Sequence, residues 1–276
     1  MLVHWVDTRV GRLRVSVEGK EPSRPSALLW HSLFVDERSW GPVVPELAQD
    51  RQLILVTGPG HGRSGDLGRR YSMEDCAEAA LEVLRAEAIE GPVDWVGNAW
   101  GGHVGILVAS LHPERVRTLV TAGTPVHAYA LAGRLSTHLL VLLYRWLGPT
   151  QYLTNAVVEA LLSEHSRATN PSAVELVRDG FTGADRAAMI NAVISISLNR
   201  RDLTPLLPTV QAPTLFITGS EHPDWSPEHM RSTAALLPRG TCQVIDQAAY
   251  LVPLEAPADF GHSVREFWAA HPATHD

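Results

Sequence analysis

Short runs of consecutive apolar residues alternate along this chain with longer stretches in which apolar positions return every three or four residues. The first pattern predicts buried strands at 13–17, 27–30, 52–56, 93–96, 117–122, 214–218 and 241–245. The second predicts helices beginning near Val43, Met73, Trp100, Pro227 and Asp259. In "SMEDCAEAALEVLRA" the apolar positions keep helical spacing, and Ser72 with Asp75 has the arrangement of a cap at the helix start. Strands alternating with helices define an α/β protein with a mostly parallel central sheet flanked by helices.

Between Pro125 and Thr209 the strand pattern disappears. The segments "LSTHLLVLLYRWLG", "TNAVVEALLSEH", "PSAVELVRDGF" and "DRAAMINAVISISLN" read as about four helices, broken near Gly148-Pro149, Asn170-Pro171 and Gly180 to Gly183. An all-helical interruption of an α/β pattern is most simply an inserted cap. The expected division is a core formed by 1–125 and 206–276 and a helical cap, or lid, at 126–205.

Composition narrows the function classes. At 276 residues, 45% hydrophobic and 19% charged, the chain is ordinary for a globular protein with a full-sized core. The net charge of -7 and the absence of any basic run argue against nucleic acid or a membrane as partner. The two cysteines, Cys76 and Cys242, are far apart, so neither a disulfide framework nor a metal site is expected, and a reducing cytoplasm fits best. The start "MLVHWVDTRVGRL" has no signal-peptide pattern, and the apolar stretch around 138–147 contains Arg145 and is too short to span a bilayer. Twenty-two arginines against one lysine suit a GC-rich genome and say nothing about chemistry.

Candidate chemistry centres on Gly97-Asn98-Ala99-Trp100-Gly101, between an expected strand and an expected helix. The glycines are those of a G-x-S-x-G elbow, a tight turn that presents its central residue and aims the next N–H at a developing oxyanion. The pieces around it stand in a consistent order: "LLWHSLFVDERSW", "VTGPGHGRSGD", "RVRTLVTAGTP", "APTLFITGSEHPDW" and "VIDQAAYLVPLEAP". Taken together they resemble the α/β-hydrolase fold superfamily, and within it the capped branch of esterases, haloperoxidase-like enzymes and carbon–carbon bond hydrolases. The resemblance covers nearly the whole chain.

That resemblance implies a nucleophilic serine where Ala99 stands, an acid where His222 stands and a histidine where Tyr250 stands. Ala99 has no transferable proton, so covalent catalysis from this position is chemically impossible. Ser32 stands where glycine usually follows His31, and Thr57 where an acid usually precedes Gly58. An introduced inactivation would account for Ala99 alone; five altered positions around one site read as natural remodelling.

The oxyanion donors are expected to be main-chain N–H groups of Leu33 and Trp100, with His31 and Ser32 beside them and Trp100 on the pocket floor. His222 and Tyr250 are the expected acid–base pair, and Asp224 either orients His222 or caps the following helix. His61 and His103 read as structural, and His127, His138 and His165 are left undecided between pocket and solvent. The leading expectation is a cofactor-free enzyme performing elimination, isomerisation or cyclisation on a small, hydrophobic, carbonyl-containing metabolite. A setting in bacterial specialised metabolism is an expectation from the resemblance and the arginine bias alone. Two readings stand beside it: a non-catalytic small-molecule binding protein, and an esterase-type hydrolase with Ala99 introduced or with a relocated catalytic group. Oligomeric state is not legible.

Overall fold

The computed structural model describes residues 1–19, 21 and 24–273. Eight strands form one sheet: β1 (Leu2–Thr8), β2 (Gly11–Glu18), β3 (Ser26–Trp30), β4 (Gln52–Val56), β5 (Val93–Asn98), β6 (Val116–Ala122), β7 (Thr214–Gly219) and β8 (Gly240–Ile245). Their spatial order is β1-β2-β4-β3-β5-β6-β7-β8. The pairs β1–β2 and β2–β4 are antiparallel and every later pair is parallel. The central parallel strands β4, β5 and β7 are buried on both faces, which is why they read as unbroken apolar runs, whereas the edge strand β8 alternates. The pattern missed β1, an edge strand whose residues are mostly exposed or half-buried, Trp5 included.

The helices that follow are α1 (Val44–Leu47), α2 (Met73–Ala86), α3 (Trp100–Leu111), α4 (Leu131–Leu147), α5 (Gln151–Leu161), α6 (Glu164–Thr169), α7 (Pro171–Thr182), α8 (Arg186–Val193), α9 (Pro227–Ala234), α10 (Val252–Glu255) and α11 (Pro257–Ala270). One face of the sheet packs Leu28, Trp30, Ile54 and Trp95 against α2 and α3; the other packs Leu29, Leu55, Val96 and Ile217 against α11. Ser72 and Asp75 do form a reciprocal capping box at the start of α2. Asp94 of β5 is fully buried and is held by Arg51, Arg117 and Thr118, so its charge is paired and hydrogen-bonded on several sides.

Between β6 and β7 the described residues form five helices, α4 to α8, where four are expected from the sequence. Helix α7 runs through Gly180 without a break. A Cβ at Gly180 would lie 2.4 Å from the Phe34 carbonyl oxygen, so this glycine marks a close approach to the core rather than a helix stop. These helices share a cluster of their own, including Tyr144, Leu153, Val157, Phe181 and Ile190, which meets Val35, Leu251 and Leu254 of the core. α8 ends in a wider π turn over Ile194–Leu198 that leads to Arg200.

Candidate active site

β5 ends at Asn98 and α3 begins at Trp100, which leaves Ala99 alone at the turn with φ 46° and ψ −101°. A non-glycine residue there stores roughly 1–3 kcal/mol of backbone strain. Backbone contact, not flexibility, dictates the neighbouring glycines. A Cβ at Gly97 would lie 2.2 Å from the Gly101 carbonyl carbon, and one at Gly101 would lie 1.8 Å from the Trp30 carbonyl oxygen. The elbow is thus complete in its backbone, with a methyl group at its apex.

Above the elbow lies a cavity of about 470 Å³ between core and the inserted helices. Ser32, Leu33, Ala99, Trp100, Asp224 and Tyr250 line it from the core, and Tyr129, Thr137, Leu140 and Arg200 from the segment between β6 and β7. The N–H groups of Leu33 and Trp100 find no acceptor among the described residues, which leaves two donors free at the floor. Phe34, just after Leu33, is held at φ 67°, so the loop is strained beside its donor as the elbow is at Ala99.

His31 does not reach the cavity. Its Nε2 accepts the Gly58 N–H at 2.8 Å, so Nδ1 carries the proton and donates to the Ser32 carbonyl at 2.6 Å. Burial holds its pKa down at about 3, with nearby His61 adding to the effect. His61 is equally structural, bonded to the Pro59 carbonyl and to the Phe34 N–H. The Trp100 ring packs beneath the floor against Trp30, His31 and His61 at centroid distances of 5.3–5.5 Å, so it is part of the core and not a stacking surface for a ligand.

The His–Tyr pair expected from the sequence is only half present at the cavity. The loops after β7 and β8 are laced together, with Ser220 and Glu221 N–H groups donating to the Ile245 and Ala248 carbonyls. That lacing lays the His222 ring against Tyr250 at a centroid distance of 3.9 Å. Tyr250 faces the cavity and His222 lies behind it. Nδ1 of His222 accepts the Asp224 N–H at 3.2 Å, and Nε2 is sealed inside without a partner of hydrogen-bonding geometry. Burial lowers the His222 pKa to about 4 against the opposing pull of Asp224, so the ring is neutral near pH 7.

Asp224 is not the helix cap; Ser226 caps α9, accepting from the His229 N–H. That releases the Asp224 side chain to the cavity mouth, where Oδ2 accepts the Tyr250 hydroxyl at 2.8 Å. Burial, with Tyr129 and Asp224 nearby, pushes the Tyr250 pKa well above its usual value, so the phenol keeps its proton.

Three further residues escape sequence reasoning. Asn98 donates to the carbonyls of Ala122 and Tyr250, pinning the Tyr250 backbone to the elbow. Glu255 accepts the N–H groups of Ala249 and Leu251 on either side of Tyr250, and that of Ser163 from the inserted helices. Both stand inside the quoted motifs and were legible in position, though not in role. Arg200 donates to the His127 carbonyl and lies over the Tyr129 ring at 4.5 Å, bringing a cation to the cavity wall with no motif around it. His103 is buried against the Pro125 carbonyl, whereas His138 and His165 face solvent. The two cysteines are free.

Fold and site together define a hydrolase-type scaffold: a parallel sheet, a strained strand-to-helix elbow and paired main-chain donors under a cavity. The model of the alpha/beta hydrolase family matches residues 27–261, and the chain belongs to that family. It is 39% identical over 102 residues to a pimeloyl-[acyl-carrier protein] methyl ester esterase of Klebsiella pneumoniae, a match spanning 37% of each chain. A protein of the same name from Edwardsiella ictaluri matches at 28% over 266 residues, covering 88% of this chain and 97% of its own. An esterase of Thermogutta terrifontis superposes with a TM-score of 0.88 at 22% identity, covering 99% and 100% of the two chains. The enol-lactonase of Burkholderia xenovorans LB400 gives 0.87 at 20%, covering 96% and 100%.

These relatives are enzymes, and their names describe ester and lactone hydrolysis. They overturn the expectation of a non-hydrolytic elimination, isomerisation or cyclisation. The physical reason is that the oxyanion donors belong to the backbone and survive any side-chain change at 99. Among the described residues no group of histidine, cysteine, aspartate and glutamate could hold a metal ion, and no helix is long and apolar enough to cross a membrane.

Proposed function

We propose that this chain hydrolyses a small, largely apolar carboxylic ester or lactone by direct attack of water, without an acyl-enzyme. The observation that carries the reading is the meeting of two kinds of group at one cavity. The free N–H groups of Leu33 and Trp100 lie at its floor, and the Asp224 carboxylate, held by the Tyr250 hydroxyl, lies at its wall. The ester and lactone chemistry named for the relatives supports the choice of substrate class.

In this mechanism the substrate carbonyl oxygen sits on the two N–H donors, above the methyl of Ala99. Water attacks the carbonyl carbon while Asp224 takes one of its protons, and the developing oxyanion is stabilised by the donors. Collapse of the tetrahedral species breaks the acyl carbon–oxygen bond, and the Asp224 carboxylic acid returns the proton to the departing alkoxide. Tyr250 positions Asp224 throughout. Donors and binding alone supply ~10³–10⁴ over the uncatalysed reaction, and a placed base adds ~10²–10⁴.

The test is hydrolysis of p-nitrophenyl butyrate and of a simple δ-lactone, comparing the native chain with Asp224→Asn. The substitution should lower kcat/KM at least ~10²-fold with an unchanged far-UV spectrum. Hydrolysis in ¹⁸O-water should place one label in the acid product in a single turnover, with no acylated protein by intact mass. A rate unaffected by Asp224→Asn, or an acylated protein, sinks the proposal.

A further inference from the structure

Helix α4 has two faces that differ in what they meet. Gly133, Ser136, Thr137 and Leu140 line the cavity. On the other side, Leu131, Leu135, Leu139, Leu142 and Trp146 are each more than half exposed, with Leu131 at 80% and Trp146 at 76%. At about 100° per residue these five fall within an arc of about 80°, so they form one stripe. An apolar stripe of this length on a surface helix normally faces something other than water.

Charge says what that is. The chain holds 30 acidic residues, yet none occurs between Glu114 and Glu159. The charged residues of α4 are Arg134 and Arg145, both exposed and both on the same flank of the stripe, beside His138. Arg186 reaches the C-terminal end of the helix, where its guanidinium donates to the Arg145 carbonyl. The neighbouring Asp185 is occupied as the N-cap of α8. The overall charge of -7 argued against an acidic surface as partner, but fields from the far side of the protein are screened within about 10 Å of salt solution. What a surface meets at this helix is local: leucine, tryptophan and arginine.

We propose that α4 docks this protein on a lipid surface bearing acidic headgroups. The leucines and Trp146 enter the boundary between headgroups and acyl chains, and Arg134 and Arg145 pair with headgroup phosphates. With its other face packed on α8 and with Arg134 and Arg145 along its length, α4 lies on such a surface rather than crosses it. A second copy of the chain fits less well, because it would bring two arginine flanks together with no acid on either helix to pair them. With α4 docked, the cavity wall it forms stands directly at the lipid boundary, where an apolar ester would be concentrated. The docking itself does not depend on the hydrolytic reading, and its test reads binding alone.

The experiment is co-sedimentation of the full chain with vesicles of phosphatidylcholine and with vesicles carrying 30% phosphatidylglycerol (~0.3 mole fraction, sufficient for a strong surface potential). Binding to the acidic vesicles is expected, weakened by salt, with a blue shift of tryptophan emission that Trp146→Ser removes. Leu135→Gln with Leu142→Gln should weaken binding at least ~10-fold. Arg134→Gln should weaken it about fivefold, the effect of one cation at an acidic surface. None of the three should change hydrolysis of a water-soluble ester. No binding, equal binding to neutral vesicles, or binding indifferent to the stripe substitutions overturns the proposal. So does a dimer in analytical ultracentrifugation that the leucine substitutions dissociate, or a stripe-dependent complex with an acidic protein in place of vesicles.

Discussion

Ala99→Ser supplies the hydroxyl that the elbow is shaped to present, and the structure says how little it should do alone. Position 99 already holds φ 46°, so serine inherits the existing strain and stability should change by less than ~0.5 kcal/mol. A hydroxyl becomes a nucleophile only when a base takes its proton. The imidazole on the loop after β7, His222, is turned away, with Nδ1 bonded to the Asp224 N–H and Nε2 sealed inside. Members of a nucleophile relay act as a unit, and removing one costs about as much as removing all. In reverse, serine by itself should alter the ester rate by less than ~3-fold. Ala99→Ser combined with Tyr250→His is different, because position 250 already points a polar atom at Asp224 from 2.8 Å. Asp224 would then orient the new imidazole, and a gain of ~10²–10⁴, or about 3–5 kcal/mol of barrier, is expected. Stopped-flow release of p-nitrophenolate should show a burst in the double variant and none in the single. A burst from Ala99→Ser alone would mean that a base already faces the elbow, and direct water attack would be refuted. A folded double variant without any gain would mean that positions 99 and 250 do not act on one bound carbonyl.

Two further outcomes test the supports of the site. His31, His61, His103 and His222 are buried and their pKa values fall to about 3, 4, 3 and 4, burial being the main cause in each. Unfolded, each binds its proton near 6.5, so stability is complete above that pH and is lost as pH falls toward 4, at ~1.4 kcal/mol per pH unit for each ring. Urea unfolding at pH 7.0, 6.0 and 5.5 should show this loss, and a flat profile would contradict it. Asn98→Ala strips the buried Ala122 and Tyr250 carbonyls of a donor, at a cost of about 2 kcal/mol and a fall in Tm of roughly 5 °C. Ester hydrolysis measured well below that Tm should fall by more than the folded fraction does, since Tyr250 loses its anchor; a rate that tracks folding alone would make Asn98 merely structural.

Much of the architecture is decided by neighbours along the chain. A parallel strand buried on both faces must be apolar throughout, so the strand at 52–56 is visible without coordinates and is found with the same bounds. The elbow is visible because backbone contacts at Gly97 and Gly101 leave no room for a Cβ, a steric fact that survives at any residue occupying 99. β1 was hidden because an edge strand with few buried residues carries little of that signal. The chemistry at the cavity was settled elsewhere. Which of His222, Asp224 and Tyr250 faces a substrate depends on how the loops after β7 and β8 lace together, and on Ser226, not Asp224, closing the start of α9. Spacing within one loop holds no record of that, because the orienting contacts come from residues 26 or 152 positions away. The same holds for α4: its apolar spacing predicts a helix, but periodicity reveals only that a helix has an apolar stripe, and tertiary contact alone reveals what covers it.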